Sequence, residues 1–127
     1  MAEFNTTVKQ QGDVSLVYLD GYLDAHTASV LENNFSELIN QDKYKIVVNF
    51  KGLQYISSAG LGVFMAFIEK IRENKGDIKL SSMSDKVYNI FDLLGFPLLY
   101  EIYKSEAEAV KRFSEQSSEE ETGNLEK

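Results

Sequence analysis

The feature that most restricts the fold of this 127-residue chain is a compact run of β-branched and apolar residues at positions 45–50, KIVVNF. Such a run, at strand length, is typical of a strand that is buried within a sheet. Apolar residues recur at helical spacing before it, over about residues 27–40, and after it, over about residues 58–74. Because helices that separate strands imply crossover connections, the sequence predicts an α/β protein with a largely parallel sheet.

Three further strands and an edge strand complete the predicted sheet. Residues 14–19 have strand length, and a first strand near residues 4–9 most easily pairs antiparallel with them. The short segment at residues 78–82 follows the second helix, and residues 98–103 make a plausible edge strand. We therefore expect a mixed, mostly parallel sheet of about five strands with about four α-helices.

Start and stop signals define the last two predicted helices. Ser84 can cap a third helix that Gly95 ends, and Leu94 is among the residues expected to face the core. Ser105 and Glu108 have the spacing of a capping box for a last helix. Both helices follow a predicted strand, in agreement with the α/β pattern.

Composition divides the chain into a predicted folded domain, residues 1–114, and a predicted flexible acidic tail, residues 115–127. The tail has five acidic side chains and no apolar period. The net charge is −7, with no basic stripe, which argues against nucleic acid as a partner. The chain has no cysteine, which suits a reducing cytoplasm, and no apolar segment near the roughly 20 residues of a membrane span. We expect a cytoplasmic protein.

Two loops at the predicted carboxyl ends of strands carry the candidate site. They are residues 20–27, DGYLDAHT, and residues 54–62, QYISSAGLG. In α/β sheets, ligands and partners bind beyond the carboxyl ends of the strands, at the loops that enter helices. The second loop places two hydroxyls side by side, at Ser57 and Ser58. This pair could be a helix cap, a catalytic nucleophile, a phosphate cradle or a phosphate acceptor.

The residue types around the two serines argue against catalysis. A serine nucleophile usually lies in a G-x-S-x-G turn beside a base, and the single histidine, His26, is not linked to either serine by the sequence. A phosphate-binding loop of the Walker type requires a lysine that SSAGLGVF lacks. One histidine and no cysteine offer no metal site. We expect no enzymatic activity, no metal and no cofactor.

A cap and a phosphorylation site remain as readings of the serine pair. Ser57 has the position of an N-cap, and Ser58 then lies on the first helical turn. A phosphoryl group there would meet the positive end of the helix dipole, while its charge would disrupt a partner surface. Gly60 and Gly62 each cost up to about 1 kcal/mol relative to alanine in a helix, which suggests that another molecule approaches the backbone.

Three segments carry a resemblance to a known family. They are GYLDAHTASVLENNF, KIVVNFKGLQYISSAGLGVFM and DKVYNIFDLLGF. In order and interval they resemble the STAS domain of bacterial anti-sigma factor antagonists, over about residues 4–114. The family pattern is a G-E-L-D segment at the end of a strand, a helix, an aliphatic strand, and D-S-[ST]-G-L-G opening the next helix.

The resemblance implies a mixed-sheet α/β STAS fold and a regulatory role without catalysis. The unphosphorylated antagonist would bind an anti-sigma factor that is itself an ATP-dependent serine kinase, and would thereby release a sigma factor for transcription. The kinase would then phosphorylate the antagonist and free itself, and a PP2C-type phosphatase would reset the cycle. STAS domains also occur in sensory complexes and transport systems, so a non-phosphorylated interaction subunit is the alternative.

Matched position by position, the family's phosphorylated serine falls on Ser58. Ser57 stands where the family has aspartate and is the alternative acceptor. Asp24 matches the aspartate of G-E-L-D, which in the family lies near the acceptor, and Tyr22 replaces its glutamate. The predicted partner-binding residues are Tyr22, Asp24, Ser57, Ala59, Gly60, Leu61 and Gly62.

Overall fold

A computed structural model describes the backbone of residues 3–125 and the side chains of residues 3–116. Its elements, in chain order, are β1 (Phe4–Gln11), β2 (Val14–Leu23), α1 (Ala28–Asn40), β3 (Lys45–Ile56), α2 (Ser58–Glu73), β4 (Asp77–Ser81), α3 (Asp85–Leu93), a 3-10 turn (Phe96–Leu98), β5 (Ile102–Tyr103) and α4 (Glu106–Leu125).

The five strands form one sheet in the order β1-β2-β3-β4-β5. Strand β1 pairs antiparallel with β2, and every other neighbouring pair is parallel. The predicted α/β class, the mixed, mostly parallel sheet and the four helices are therefore confirmed. The β-branched run is the centre of this sheet, where Ile46, Val47 and Val48 are fully buried.

The sheet is covered on both faces, but unequally. Helices α1, α2 and α3 build the larger core with aromatic side chains; the rings of Phe50 and Phe91, for example, meet edge to face at 5.4 Å between centroids. On the other face, Ala109 and Phe113 of α4 pack against Val14, Leu16 and Val47 in a smaller cluster. Among the described elements, α4 is thus the helix that covers the second face.

The segment predicted as an edge strand at residues 98–103 is mostly not a strand. Gly95 takes the left-handed conformation, with φ 78°, and Pro97 follows in the 3-10 turn. The rings of Phe96 and Tyr100 then stack at 5.3 Å, so the apolar residues pack locally and only Ile102–Tyr103 joins the sheet. Leu94 follows the last residue of α3 and is 55% exposed, so the prediction that it faces the core is wrong.

Helix α4 continues beyond residue 114, where the folded domain was predicted to end. A helix needs only local backbone hydrogen bonds and residues of good helix propensity, such as Glu and Gln, and an apolar period is needed only for packing. The predicted boundary therefore does not coincide with a helix end. The flexibility assigned to residues 115–127 stays a prediction, and residues 126 and 127 lie outside the described residues.

Candidate functional site

The carboxyl ends of β2 and β3 bring the two predicted loops together. In the parallel ladder Tyr22 lies opposite Tyr55, and Leu23 lies opposite Ile56. The backbone N–H of Ser57 donates a hydrogen bond of 2.9 Å to the carbonyl oxygen of Leu23. The expectation that both loops occupy one edge of the sheet is confirmed.

The two serines differ because helix α2 begins between them. Ser57 is the N-cap, with extended backbone angles (φ −99°, ψ 173°), and its side chain accepts a hydrogen bond of 3.4 Å from the Gly60 N–H. Ser58 is the first helical residue and is exposed, and its hydroxyl makes no hydrogen bond to any described residue. The cap therefore engages the Ser57 hydroxyl and leaves the Ser58 hydroxyl accessible.

Asp24 organises the turn that connects β2 to α1. Its Oδ1 accepts hydrogen bonds from the backbone N–H groups of His26, at 2.9 Å, and Thr27, at 3.1 Å. In return, the Asp24 N–H donates to Thr27 Oγ1 at 2.9 Å, and the Thr27 hydroxyl donates to the Tyr22 carbonyl at 2.8 Å. One carboxylate oxygen thus fixes the loop that lies beside Ser57.

The two glycines of α2 have different environments. A Cβ on Gly60 would lie 2.7 Å from Leu23 Cγ and 3.0 Å from Ile56 Cγ1, whereas a Cβ on Gly62 would meet nothing within 4 Å. Gly60 is therefore required by packing within the chain, and the interpretation that it leaves room for another molecule is corrected. Only Gly62 fits that interpretation. Leu61, also predicted to contact a partner, is buried at 7% exposure.

An exposed pair of tyrosines borders the serines, and only one of the two, Tyr22, is predicted from the sequence. The rings of Tyr22 and Tyr55 lie 6.2 Å apart between centroids, with a tilt of 35°, and the residues are 39% and 43% exposed. Tyr55 was not predicted as a site residue. The sequence places Tyr55 two residues before the cap, near the end of β3, but only the strand register places it beside Tyr22.

The exposed residues at the start of α2, next to this pair, have small and uncharged side chains. Ser58, Ala59 and Gly62 are exposed, the first turn contains no acidic residue, and Met65 is 48% exposed one turn further on. This part of the surface therefore offers small and apolar groups beside the aromatic pair.

The described residues give little support to a catalytic, metal-binding or membrane-spanning role. No described residue hydrogen-bonds to the ring of His26, which is exposed. Within residues 3–116, no group of three or more His, Cys, Asp or Glu is placed to hold a metal ion. Along the described helices, none combines the length and apolar character that a membrane crossing requires.

Comparison with known proteins gives consistent similarities. The chain is 30% identical over 98 residues to an anti-sigma F factor antagonist from Paenibacillus polymyxa, an alignment that covers 76% of this chain and 84% of the relative. It is 29% identical over 98 residues to the anti-sigma-B factor antagonist of Bacillus subtilis strain 168, covering 77% and 89%.

The fold is similar to that of the anti-sigma factor antagonist SpoIIAA of Bacillus in its unphosphorylated form, with a TM-score of 0.75 and 22% identity over 87% of this chain and 96% of that one. The phosphorylated form of SpoIIAA gives a TM-score of 0.68, with 86% and 99% covered. The family model for the STAS domain matches residues 5–109, and this chain therefore belongs to the STAS domain family, in company with bacterial proteins named anti-sigma factor antagonists.

Proposed function

We propose that this protein is an anti-sigma factor antagonist whose binding is switched off by phosphorylation of Ser58. The observation that carries the proposal is the exposed Ser58 hydroxyl on the first turn of α2, beside a cap that already uses Ser57. In the unphosphorylated form the protein binds an anti-sigma factor and so releases a sigma factor for transcription. The chemistry belongs to its partners, and the protein itself is a substrate and not an enzyme.

The proposed partner is an anti-sigma factor that acts as an ATP-dependent serine kinase. Phosphorylation forms a bond between Ser58 Oγ and the γ-phosphorus of ATP, breaks the bond from that phosphorus to ADP, and passes the hydroxyl proton to a base of the kinase. A PP2C-type phosphatase then hydrolyses the phosphoserine with water and restores the binding form. Because ATP and these partners are intracellular, a cytoplasmic location is part of the proposal.

Phosphorylation at this position is compatible with the fold. The first N–H groups of a helix lack intrahelical partners, and the dipole places partial positive charge there. A phosphoserine brings about −1.5 to −2 charges, and no acidic side chain lies in the first turn of α2 to oppose them. The modified protein can therefore keep its structure.

The same charge would act against a bound partner. The surface around Ser58 offers exposed aromatic and small residues, namely Tyr22, Tyr55, Ala59 and Gly62. A dianion introduced against an apolar or acidic partner surface would weaken binding by about five- to 150-fold. Gly60 and Leu61 remain predicted partner-binding residues, and because both are buried their contribution would be to shape the helix start.

The relatives support this reading. Both curated relatives described above are named as antagonists of anti-sigma factors, and SpoIIAA has been solved in phosphorylated and unphosphorylated forms. A protein of this fold thus exists in two phosphorylation states, as the proposed switch requires.

The test compares Ser58→Ala with Ser57→Ala after incubation with the cognate kinase and ATP. We expect the wild type to gain one phosphate by mass spectrometry, Ser58→Ala to gain none while still binding the kinase, and Ser57→Ala to be phosphorylated. Loss of the cap should cost Ser57→Ala about 1 kcal/mol of unfolding free energy, so its folded fraction is measured in parallel.

Two results would contradict the proposal. The first is normal phosphorylation of Ser58→Ala, which would move the acceptor elsewhere, with Ser57 the next candidate. The second is unchanged binding by Ser58→Asp, since a switch must respond to charge at this position. Stable association that ignores Ser58 would instead indicate an interaction subunit of a sensory complex or transport system.

A further inference from the structure

Strand β1 forms an open edge of the sheet. It runs over eight residues, Phe4–Gln11, and pairs only with β2. No other strand among the described residues lies on its outer side, and its side chains from Thr7 to Gln11 are exposed. An edge of this kind presents unpaired backbone donors and acceptors to any strand that can reach them.

The register identifies which residues carry these outward groups. The Tyr22 N–H donates to the Glu3 carbonyl at 2.8 Å, which makes that pair a hydrogen-bonded one in the antiparallel ladder. Hydrogen-bonded pairs alternate along such a ladder, so the odd-numbered residues of β1 bond to β2. The N–H and C=O groups of Thr6, Val8 and Gln10 therefore point away from the sheet.

The usual devices that block pairing at a sheet edge are largely missing from β1. The strand has no proline, and its ladder with β2 continues without a bulge from Phe4 to Gln11. Its single charge is Lys9, whose Nζ lies 5.5 Å from the centroid of the Tyr18 ring. The lysine thus lies over the sheet face that α4 covers only in part, where pairing at the edge would not bury it.

We propose that β1 pairs antiparallel with β1 of a second copy of this chain and joins the two sheets into one of ten strands. The twofold axis passes midway between the two β1 strands at Val8, so that Val8 faces Val8 of the second copy. Thr6 then pairs with Gln10 of the second copy, and Gln10 pairs with its Thr6. All of these are residues whose backbone groups point outward, so each can form the two hydrogen bonds of a hydrogen-bonded pair.

The charge of Lys9 and the exposed side chain of Val8 favour this register. Val8 is 41% exposed, and the pairing covers it with an identical apolar side chain. Lys9 faces the uncharged Thr7 of the second copy. A shift by one pair in one direction would set Lys9 against Lys9, and like charges directly opposite are destabilising. A shift in the other direction would set Val8 against Thr6 and leave no apolar pair.

This dimer leaves the Ser58 surface accessible. The twofold axis reverses the strand direction of the second sheet. In each copy Ser57 and Ser58 lie at the carboxyl ends of the strands, so these ends point in opposite directions in the two copies. Each copy could then bind a partner of its own. The inference does not depend on phosphorylation, so its failure and that of the proposed switch are separate results.

The test is the oligomeric state of charge variants at Val8, measured by sedimentation equilibrium over a series of concentrations. Wild type and the control Val8→Thr should dimerise, whereas Val8→Lys and Val8→Glu should each self-associate about tenfold more weakly, because like charges face each other. An equimolar mixture of Val8→Lys and Val8→Glu should restore the dimer, since the charges are then opposite. Circular dichroism should show the same fold in all variants, because this side chain is partly exposed.

Three results would overturn the proposal. The wild type could remain a monomer at every concentration. Alternatively, Val8→Lys could dimerise as well as the wild type, which would place the contact elsewhere. Finally, a mixture of the two charge variants that stays monomeric would show that residue 8 does not face itself.

Discussion

At the scale of single residues, one backbone position separates the tasks of Ser57 and Ser58. An N-cap residue has extended backbone angles and turns its side chain back to the helix, whereas the next residue projects its side chain outward. Ser57 is half-buried and accepts a hydrogen bond from the Gly60 N–H, and Ser58 is exposed. This division was predicted from the sequence, because capping depends on local chemistry.

Gly60 and Gly62 should respond oppositely to the same substitution. Gly60→Ala would force a methyl group against Leu23 and Ile56, and overpacking of this kind costs about 1–3 kcal/mol. Gly62→Ala would enter open space and remove a residue of poor helix propensity, so it should gain up to about 1 kcal/mol. Urea unfolding of both variants measures these changes.

Each variant is the matched control of the other, since the substitution is identical and the helix is the same. Equal destabilisation by both would show that Gly62 is also packed within the chain. A proposed role for Gly62 at the partner surface adds a second readout: Gly62→Ala should bind the kinase more weakly although it is at least as stable as the wild type.

At the scale of elements, the turn between β2 and α1 is held by the reciprocal hydrogen bonds of Asp24 and Thr27. Thr27 occupies the N-cap position of α1 but makes no side-chain cap bond to that helix. Its hydroxyl is instead used within the loop, where it donates to the Tyr22 carbonyl. The chemistry that usually caps a helix therefore stabilises the loop at the candidate site.

Two substitutions of Asp24 separate its charge from its role in the turn. Asp24→Asn keeps an oxygen that can accept from the His26 and Thr27 N–H groups, so its stability should stay within about 0.5 kcal/mol of the wild type. Asp24→Ala removes that acceptor and should cost about 0.5–2 kcal/mol. If the proposed partner surface is correct, Asp24→Asn should associate with the kinase about tenfold more slowly at low salt.

Stopped-flow association and urea unfolding distinguish these effects. Wild-type association by Asp24→Asn would restrict Asp24 to a structural role. Equal stability of the alanine and asparagine variants would show that the turn does not depend on the side-chain hydrogen bonds.

Strand β4 contains a lysine whose burial the sequence did not reveal. Lys79 is fully buried. Its Nζ lies 2.9 Å from Glu101 Oε1 and 3.3 Å from Asp77 Oδ2. Its Nζ also lies 4.7 Å from the centroid of the Phe113 ring on α4. Alternation with Ile78 and Leu80 is typical of a solvated position, and only the packing of α4 against this face encloses the lysine.

At the scale of the whole molecule, ion pairs join segments that are distant in sequence. Asp13, between β1 and β2, pairs with Lys45 at the start of β3 at 2.8 Å, and the hydrogen bond from Lys45 lowers the pKa of Asp13. For Glu101, burial tends to raise the pKa, but the Tyr103 hydroxyl and the Lys79 ammonium outweigh it and lower the pKa below its ordinary value.

These shifts predict a loss of stability in acid. A carboxyl group whose pKa is lower in the folded state contributes stability above its unfolded pKa, about 4, and loses it as the pH falls through the folded value. The urea midpoint should therefore be highest near neutral pH and should decrease below about pH 4.

The control is Glu101→Gln, which removes one of the two carboxyl groups with a lowered pKa, those of Asp13 and Glu101. Its urea midpoint should decrease less in acid than that of the wild type. A urea midpoint that is constant from about pH 7 to about pH 3 would contradict the assignment of these ion pairs.

The sequence by itself determined the α/β class, the helix starts at Ser57 and Ser84, and the sheet edge at which the two loops lie. Each depends on local patterns, such as the period of apolar residues or the residue that precedes a helix. The tertiary structure decided which side chains meet. The pairing of Tyr22 with Tyr55, the close packing of Gly60 on Leu23 and the enclosure of Lys79 depend on strand register and helix packing. These contacts join residues far apart in the chain, and no local pattern encodes their distance.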